Sequence, residues 1–254
     1  MSKILTIIPV RLASTRLPNK PLVDILGKSM IARVYKQALA ANLGEILIAC
    51  DGEEIAAEAK KIGAKFVITD PNLPSGTDRI YAGFKALKND DFDVIVNLQG
   101  DLPNINPNVV KAAAQAALTR DCDIATVASK IKNREEITNP NVVKIAITQT
   151  GQALYFSRSP IPYSKELNNQ TYDLRLANDD YFHHIGIYAY KKSALEKFVK
   201  LAPSMLEKRE SLEQLRALEN GMKIFVEIVD AHPLSVDTKE DLEIVTKVIA
   251  AKKS

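Results

Sequence analysis

The chain has 254 residues, 46% of them apolar and 26% charged, which describes a folded globular protein with a sizeable core and excludes a disordered one. Its 34 basic and 31 acidic residues leave a net charge of +3, too even to point to nucleic acid through overall charge, although a local basic cluster serving a small anion stays open. No apolar run approaches the ~18 residues that a membrane-spanning helix needs, so neither a membrane nor a nucleic-acid partner is expected.

The first run, MSKILTIIPVR, is apolar only between Lys3 and Arg11 and contains Pro9. It is too short and too quickly charged for a secretory signal, and a cytoplasmic setting is expected. ILTIIPV is continuously apolar and rich in β-branched residues, as a strand covered on both faces should be. Residues 11–28 follow with two prolines, four basic residues and no helical period, which predicts a long functional loop. A helix should start after Ser29 as N-cap, bury Ile31, Val34, Tyr35, Ala38 and Leu39 on one face, and end at Gly44. ILIAC at 46–50 reads as a strand and 53–62 as a helix stopped by Gly63. KFVIT is a further strand, 77–87 a helix, and 93–99 a strand.

The second half is less regular. DIATVA and VVKIAIT read as strands, and ALYFSR after Thr150-Gly151 suggests a hairpin. Residues 163–182 are polar and read as a loop. HIGIYAY at 184–190 and KIFVEIV are strands. Helices are expected over 191–201, 207–220 and 238–252. Cys50 and Cys122 match no metal-ligand spacing and read as buried thiols of a reducing compartment.

Strands alternating with helices predict an α/β fold with right-handed crossovers and a mainly parallel sheet, helices covering both faces. The expected organisation is one domain over 1–254 with a smaller β-containing lobe within about 130–220. Ligands of such sheets gather at the carboxyl ends of the strands. Four segments fall there: Arg11–Lys20, Asp51, Ser75–Arg79 and Gln99–Asp101.

The segment PVRLASTRLPNKPL carries the strongest chemistry. Arg11, Arg16 and Lys20 put three cations just past a strand, and Ser14 and Thr15 add hydroxyl donors. Such a set suits a nucleoside triphosphate, since guanidinium forks match phosphate edges. A solvated basic loop is the competing reading, but Pro18 and Pro21 fix the backbone around Lys20, which a solvated lysine would not need. No Walker loop is present. Asp101, after the strand VIVNLQG, and Asp237, before the last helix, are candidate Mg²⁺ carboxylates. They could equally form a turn and favour a helix N-terminus. Ser75, Gly76, Thr77 and Arg79 open a helix whose N-terminus favours anions, or cap it in the ordinary way. Gln99 offers paired hydrogen bonds to a base edge or a sugar. Arg158 could pair with a sugar carboxylate. His184, Tyr188 and Glu213 read on their own as a core imidazole, a packing ring and a solvated helix face.

R-x-x-S-T-R-L-P-x-K-P-L, standing as Arg11 to Leu22, resembles the N-terminal signature of the 3-deoxy-manno-octulosonate (Kdo) cytidylyltransferases, with a looser form in CMP-sialate synthetases. NLQGD, SGTDR, NPNVVK, ALYFSR, HIGIYAY, LEQLR and VDTKEDL extend the resemblance along nearly the whole chain. It implies a Rossmann-like, nucleotide-diphospho-sugar transferase-like fold. It also implies transfer of CMP from CTP to Kdo for lipopolysaccharide synthesis, with Mg²⁺ on Asp101 and Asp237. Lys20 and Arg11 would be catalytic, with Arg11 and Arg16 on the β- and γ-phosphates. Ser14, Thr15, Lys20, Ser75, Gly76, Thr77, Arg79 and Gln99 would complete the nucleotide site. Gln99, Arg158, His184, Tyr188, Glu213 and Gln214 would surround the sugar, with His184 chosen over His183 by the match to R-H-L-G. A homodimer is implied on the same ground. Two departures stand out: Leu102 where the family usually has Glu, and Ser235 where it usually has Gly. They keep 8-amino-Kdo and sialic acid open as acceptors; a nucleotide-binding protein without catalysis would lack Lys20 or a metal carboxylate, and neither is missing.

Overall fold

The computed structural model describes residues 2–14, 16–165 and 181–251. Strand β1 (Ile4–Val10) is buried along its length, as its unbroken apolar run requires. Ile4, Ile8 and Val10 enter one core cluster and Leu5 and Ile7 another, because successive side chains point to opposite faces. β1 pairs in parallel with β2 (Gly44–Cys50) on one side and β4 (Val94–Asn97) on the other, and β2 pairs in parallel with β3 (Lys65–Ile68). Beyond β4 lie β8 (Phe182–Lys191), β5 (Ile124–Lys130) and β9 (Ile224–Ile228), giving the order β3-β2-β1-β4-β8-β5-β9. β8 is antiparallel to β4 and β5, and β5 is parallel to β9. Along this path β8 alone runs against the rest. A hairpin of β6 (Lys144–Ile147) and β7 (Ala153–Ser157) joins the sheet where β6 pairs with the start of β8.

Helices α1 (Met30–Ala41), α2 (Glu53–Lys61) and α4 (Pro107–Thr119) pack on one face; α3 (Gly76–Ala86), α6 (Lys192–Phe198) and α8 (Gln214–Glu219) pack on the other. The remaining helices are α5 (Arg134–Thr138), α7 (Met205–Glu210) and α9 (Lys239–Ala251). The α/β class, the mainly parallel sheet and the two helical layers agree with the sequence reading. No described helix is long and apolar enough to cross a membrane. Both cysteines are free and buried.

Four local expectations change. Helix α1 ends at Asn42, in the left-handed region at φ 48°, and Gly44 instead opens β2. A Cβ there would stand 2.6 Å from the Ile4 carbonyl oxygen, so the close approach to β1 demands glycine. Leu39 lies outside the buried face of α1, 53% exposed. The single helix expected over 207–220 is two, broken at Ser211, where φ is 54°. Helix α4 was not legible as a pattern, since its Val and Ala side chains are buried on several sides. Its signal is Asn106-Pro107, an N-cap whose side chain accepts from Asn108 N–H, with proline in the first turn. Residues 166–180, most of the expected loop over 163–182, lie outside the described residues.

Lys144 is a buried cation on β6. Its ammonium donates to the carbonyls of Asn139, Val142 and Arg158 at 2.8, 2.6 and 2.6 Å. Burial, helped by the Arg158 charge and opposed by Glu210, lowers its pKa. Lys144→Met, which keeps the stem and removes the donors, is expected to cost about 2–4 kcal/mol. The drop in urea midpoint at unchanged m-value measures it.

Candidate active site

The loop leaving β1 is held in place rather than free in solvent. Leu12 N–H donates to Asp51 Oδ1 at 3.0 Å and Leu17 N–H to Ser14 Oγ at 3.3 Å. Leu17 is buried with Ile25, Met30, Val236 and Val245. Asn19, at φ 53°, turns the chain into a short 3₁₀ segment, Lys20–Leu22, with buried Pro21 behind the lysine. These contacts aim Lys20 inward; its side chain is 16% exposed.

The Lys20 ammonium donates to Asp101 Oδ2 and to Asp237 Oδ1, each at 2.9 Å. Arg16 Nη2 stands 3.2 Å from Asp237 Oδ2. Two carboxylates 136 residues apart are thus brought to one cation. The backbone explains how: Val236 N–H donates to the Asp101 carbonyl at 3.0 Å, and Leu234 N–H to Asn104 Oδ1 at 3.2 Å. Asp237 and Thr238 N–H groups also donate to Asp241 Oδ2 at 3.0 and 2.9 Å, which seats the segment on α9. Burial works against charge on Lys20, but the attraction of Asp101 and the hydrogen bonds to Asp237 and Asp101 outweigh it and raise its pKa. Burial likewise opposes ionisation of Asp237, and Lys20 and Arg16 overcome it, so its pKa is lowered.

A cavity of about 690 Å³ opens above this cluster. Arg11, Ser14, Arg16, Lys20, Ser75, Gly76, Arg79, Gln99, Asp101 and Asp237 all line it. Ten of the sequence-predicted residues therefore meet at the carboxyl ends of β1 and β4. Gly100, Ala13 and Leu73 also line it and were missed. Gly100 had a signal: it sits between Gln99 and Asp101, and a Cβ on it would stand 3.1 Å from the Pro9 carbonyl oxygen. Arg79 is buried, and its Nη1 donates to Thr69 Oγ1 at 2.6 Å. Burial, with Arg11 nearby, lowers its pKa despite Asp51. Thr15 lies outside the described residues.

Thr77 departs from the expectation of a nucleotide contact. It is buried, and its Oγ1 donates to Glu213 Oε2 at 2.6 Å. The helix cap is Ser75, whose Oγ accepts from Asp78 N–H at 3.1 Å. Glu213 is accordingly no solvated helix face. Burial raises its pKa against hydrogen bonds from Ser75 and Thr77.

The remaining predicted residues form a second polar group beside the cavity. Gln99 Nε2 donates to Asn97 Oδ1 at 3.1 Å, and Asn97 is opposite Tyr188 across the β4–β8 pairing. The Tyr188 and His184 rings are 5.4 Å apart, and His184 stands edge-on to Phe156 at 4.9 Å. His184 Nε2 is 2.9 Å from Thr126 Oγ1. Burial, with His183 adjacent, holds the His184 pKa down at about 3. Tyr188 is pushed well above the ordinary phenol value by burial and by Tyr190 and Glu213. Glu213 Oε1 and Gln214 Nε2 are buried without a hydrogen-bond partner among the described residues.

Arg158 does not line the cavity, and its guanidinium is not open as the sequence suggested. Nε donates to the Glu210 carbonyl at 2.8 Å and Nη1 to the Pro140 carbonyl at 2.9 Å. Leu102 is buried in the core with Ile105 and Val109. That departure from the family pattern serves packing.

Among the described residues no group of three or more His, Cys, Asp or Glu side chains is placed to hold a metal by itself, so a divalent cation here would rest on two carboxylates and the substrate. The Lys20 ammonium already occupies the point where Asp101 and Asp237 converge, and both offer hard oxygen ligands of the kind Mg²⁺ takes, with phosphate oxygens to complete its shell.

Comparison with known proteins identifies the family. The cytidylyltransferase family model matches residues 5–224. A 3-deoxy-manno-octulosonate cytidylyltransferase of Brucella anthropi is 48% identical over 95% of this chain and 94% of its own, and one of Brucella canis is 49% identical over 95% and 93%. A solved CMP:2-keto-3-deoxy-manno-octonic acid synthetase in complex with CTP superposes with a TM-score of 0.88 at 36% identity, covering 99% of this chain and 100% of that one. A cytidylyltransferase of Leptospira borgpetersenii shares the fold, at TM-score 0.64 and 17% identity, over 99% of this chain and 88% of its own. This chain is a member of the cytidylyltransferase family, and within it of the 3-deoxy-manno-octulosonate cytidylyltransferases.

Proposed function

We propose that the chain transfers CMP from CTP to Kdo, giving CMP-Kdo and pyrophosphate. The observation that carries this reading is the convergence of Lys20, Asp101 and Asp237 on the floor of a cavity walled by Arg11, Arg16 and Ser14. The likeness to Kdo cytidylyltransferases and to a CTP complex supports the choice of nucleotide and acceptor.

Arg11, Arg16 and Ser14 bind the triphosphate, their fixed donors matching its oxygens. Gly76 lets the backbone of the 75–79 segment come close, and Ser75 and Arg79 border the same space. The anomeric oxygen of Kdo forms a bond to the α-phosphorus as the bond to the β-phosphate oxygen breaks. Pyrophosphate leaves and the hydroxyl proton is lost to solvent. Lys20 offsets the charge that develops on the phosphoryl oxygens, and Arg11 and Arg16 offset that on the leaving pyrophosphate. Asp101 and Asp237 would hold Mg²⁺, which would lower the pKa of the attacking hydroxyl and polarise the phosphate. Gln99, His184, Tyr188, Glu213 and Gln214 orient the sugar. Its hydroxyls can satisfy Glu213 Oε1 and Gln214 Nε2, each of which is costly to leave bare by about 1–3 kcal/mol.

On the same reading the protein works in the cytoplasm, in keeping with two buried free thiols, and its product feeds lipopolysaccharide. It acts as a homodimer; exposed Leu154 on β7 and Ile228 on β9 offer apolar surface for a second copy.

Pyrophosphate release with CTP and Mg²⁺ over Kdo, 8-amino-Kdo and a sialic acid tests the acceptor. The highest kcat/KM is expected for Kdo, and an equal or higher value for either competitor would replace it.

A further inference from the structure

Thr126 is fully buried in β5, at the point where the pairing with β8 slips. Thr126 is opposite Tyr188 but the next residue, Val127, is opposite Ile185, so Gly186 and Ile187 are passed over. The sheet also opens on the other side of β8 here. β4 ends its pairing at Tyr188 and β6 begins its own at His183. A Cβ placed on Gly186 would meet nothing within 4 Å.

The Thr126 hydroxyl has three neighbours: the carbonyl oxygen of Ile187 at 2.7 Å, that of Ile185 at 3.4 Å, and His184 Nε2 at 2.9 Å. A threonine hydroxyl carries one hydrogen, and carbonyls only accept. The short contact to Ile187 takes that hydrogen. Towards His184 the oxygen therefore presents a lone pair, and Nε2 must donate to it. Phe156 and Tyr188 pack against the imidazole and hold its plane.

We propose that Thr126 is a positioning residue for the acceptor sugar: it fixes His184 as the Nε2–H tautomer, so the ring offers Nδ1 solely as a hydrogen-bond acceptor for a sugar hydroxyl. Burial keeps the ring from charging near neutral pH, its pKa lying at about 3, so the acceptor character persists over the working range. The inference rests on the reading that His184 meets the sugar.

The protein contains three histidines, so imidazole ¹⁵N spectra of the intact chain at pH 7 resolve each ring. The parent is expected to show His184 as the Nε2–H tautomer; an Nδ1–H or doubly protonated ring would overturn the assignment without reference to activity. Thr126→Val, close in shape but without the hydroxyl, is expected to lose that signature and to raise KM for Kdo about tenfold, the size of one hydrogen bond, with KM for CTP unchanged. Thr126→Ser, which keeps the hydroxyl, should keep the signature and the parent KM. Loss of the tautomer with an unchanged KM for Kdo, or a serine variant that behaves like valine, would overturn the positioning role. An unchanged KM for Kdo in His184→Phe would instead remove the reading beneath it, that the ring meets the sugar.

Discussion

Asp101→Asn is expected to release pyrophosphate at least about 10²–10³-fold more slowly than the parent, the scale of losing a charged group that acts at the reacting centre. Its fold should be unaffected. The side chain is 27% exposed, and Lys20 keeps its ion pair with Asp237 in the variant, so no buried charge is left unpaired and the stability cost is small. The contact that seats Asp237 beside it runs through the Asp101 backbone carbonyl, which asparagine retains. CTP should still bind, because Arg11, Ser14 and Arg16 are untouched. Steady-state rates beside a thermal melt check both halves. A variant that turns over at the parent rate would contradict the role given to Asp101; one that melts early would show that the pair is structural.

Lys20→Met is expected to abolish turnover on the same scale, and to do something a merely structural lysine would not. In the free protein one ammonium lies 2.9 Å from each carboxylate. It offsets part of the charge of the two groups proposed to hold the metal. With that charge gone, Asp101 loses its cation and Asp237 keeps only Arg16, and a divalent cation should bind the nucleotide-free protein about tenfold more tightly or better, equivalent to roughly 1.4 kcal/mol. Titration with Mn²⁺, read by its electron paramagnetic resonance, measures this without turnover. Lys20→Arg keeps the positive charge and should show no such gain. Unchanged Mn²⁺ affinity in Lys20→Met would mean that the cation site lies elsewhere.

Much of the nucleotide side was legible in the sequence because its residues lie in short segments just past predicted strands. Arg11, Ser14, Arg16 and Lys20 follow β1, and Gln99 and Asp101 follow β4. A parallel sheet brings such segments together by its topology alone. Asp237 needed the resemblance, since what brings it to Asp101 is the hydrogen bond from Val236 N–H, which no pattern announces. Thr77 shows the limit of reading a helix start: Ser75 takes the capping role, so Thr77 turns inward to a glutamate far along the chain. Thr126 carried no sequence signal. A threonine within DIATVA is an ordinary strand residue, and its importance comes from a slip in pairing with a strand some sixty residues away.

The central claim is that one cavity joins the α-phosphate of CTP to a sugar acid. A ³¹P spectrum of CTP, Mg²⁺ and Kdo after incubation with the protein reads that outcome directly. Loss of the CTP resonances with equimolar appearance of one phosphodiester and pyrophosphate is the predicted result. Unchanged CTP, or its conversion to CDP and inorganic phosphate, would contradict it.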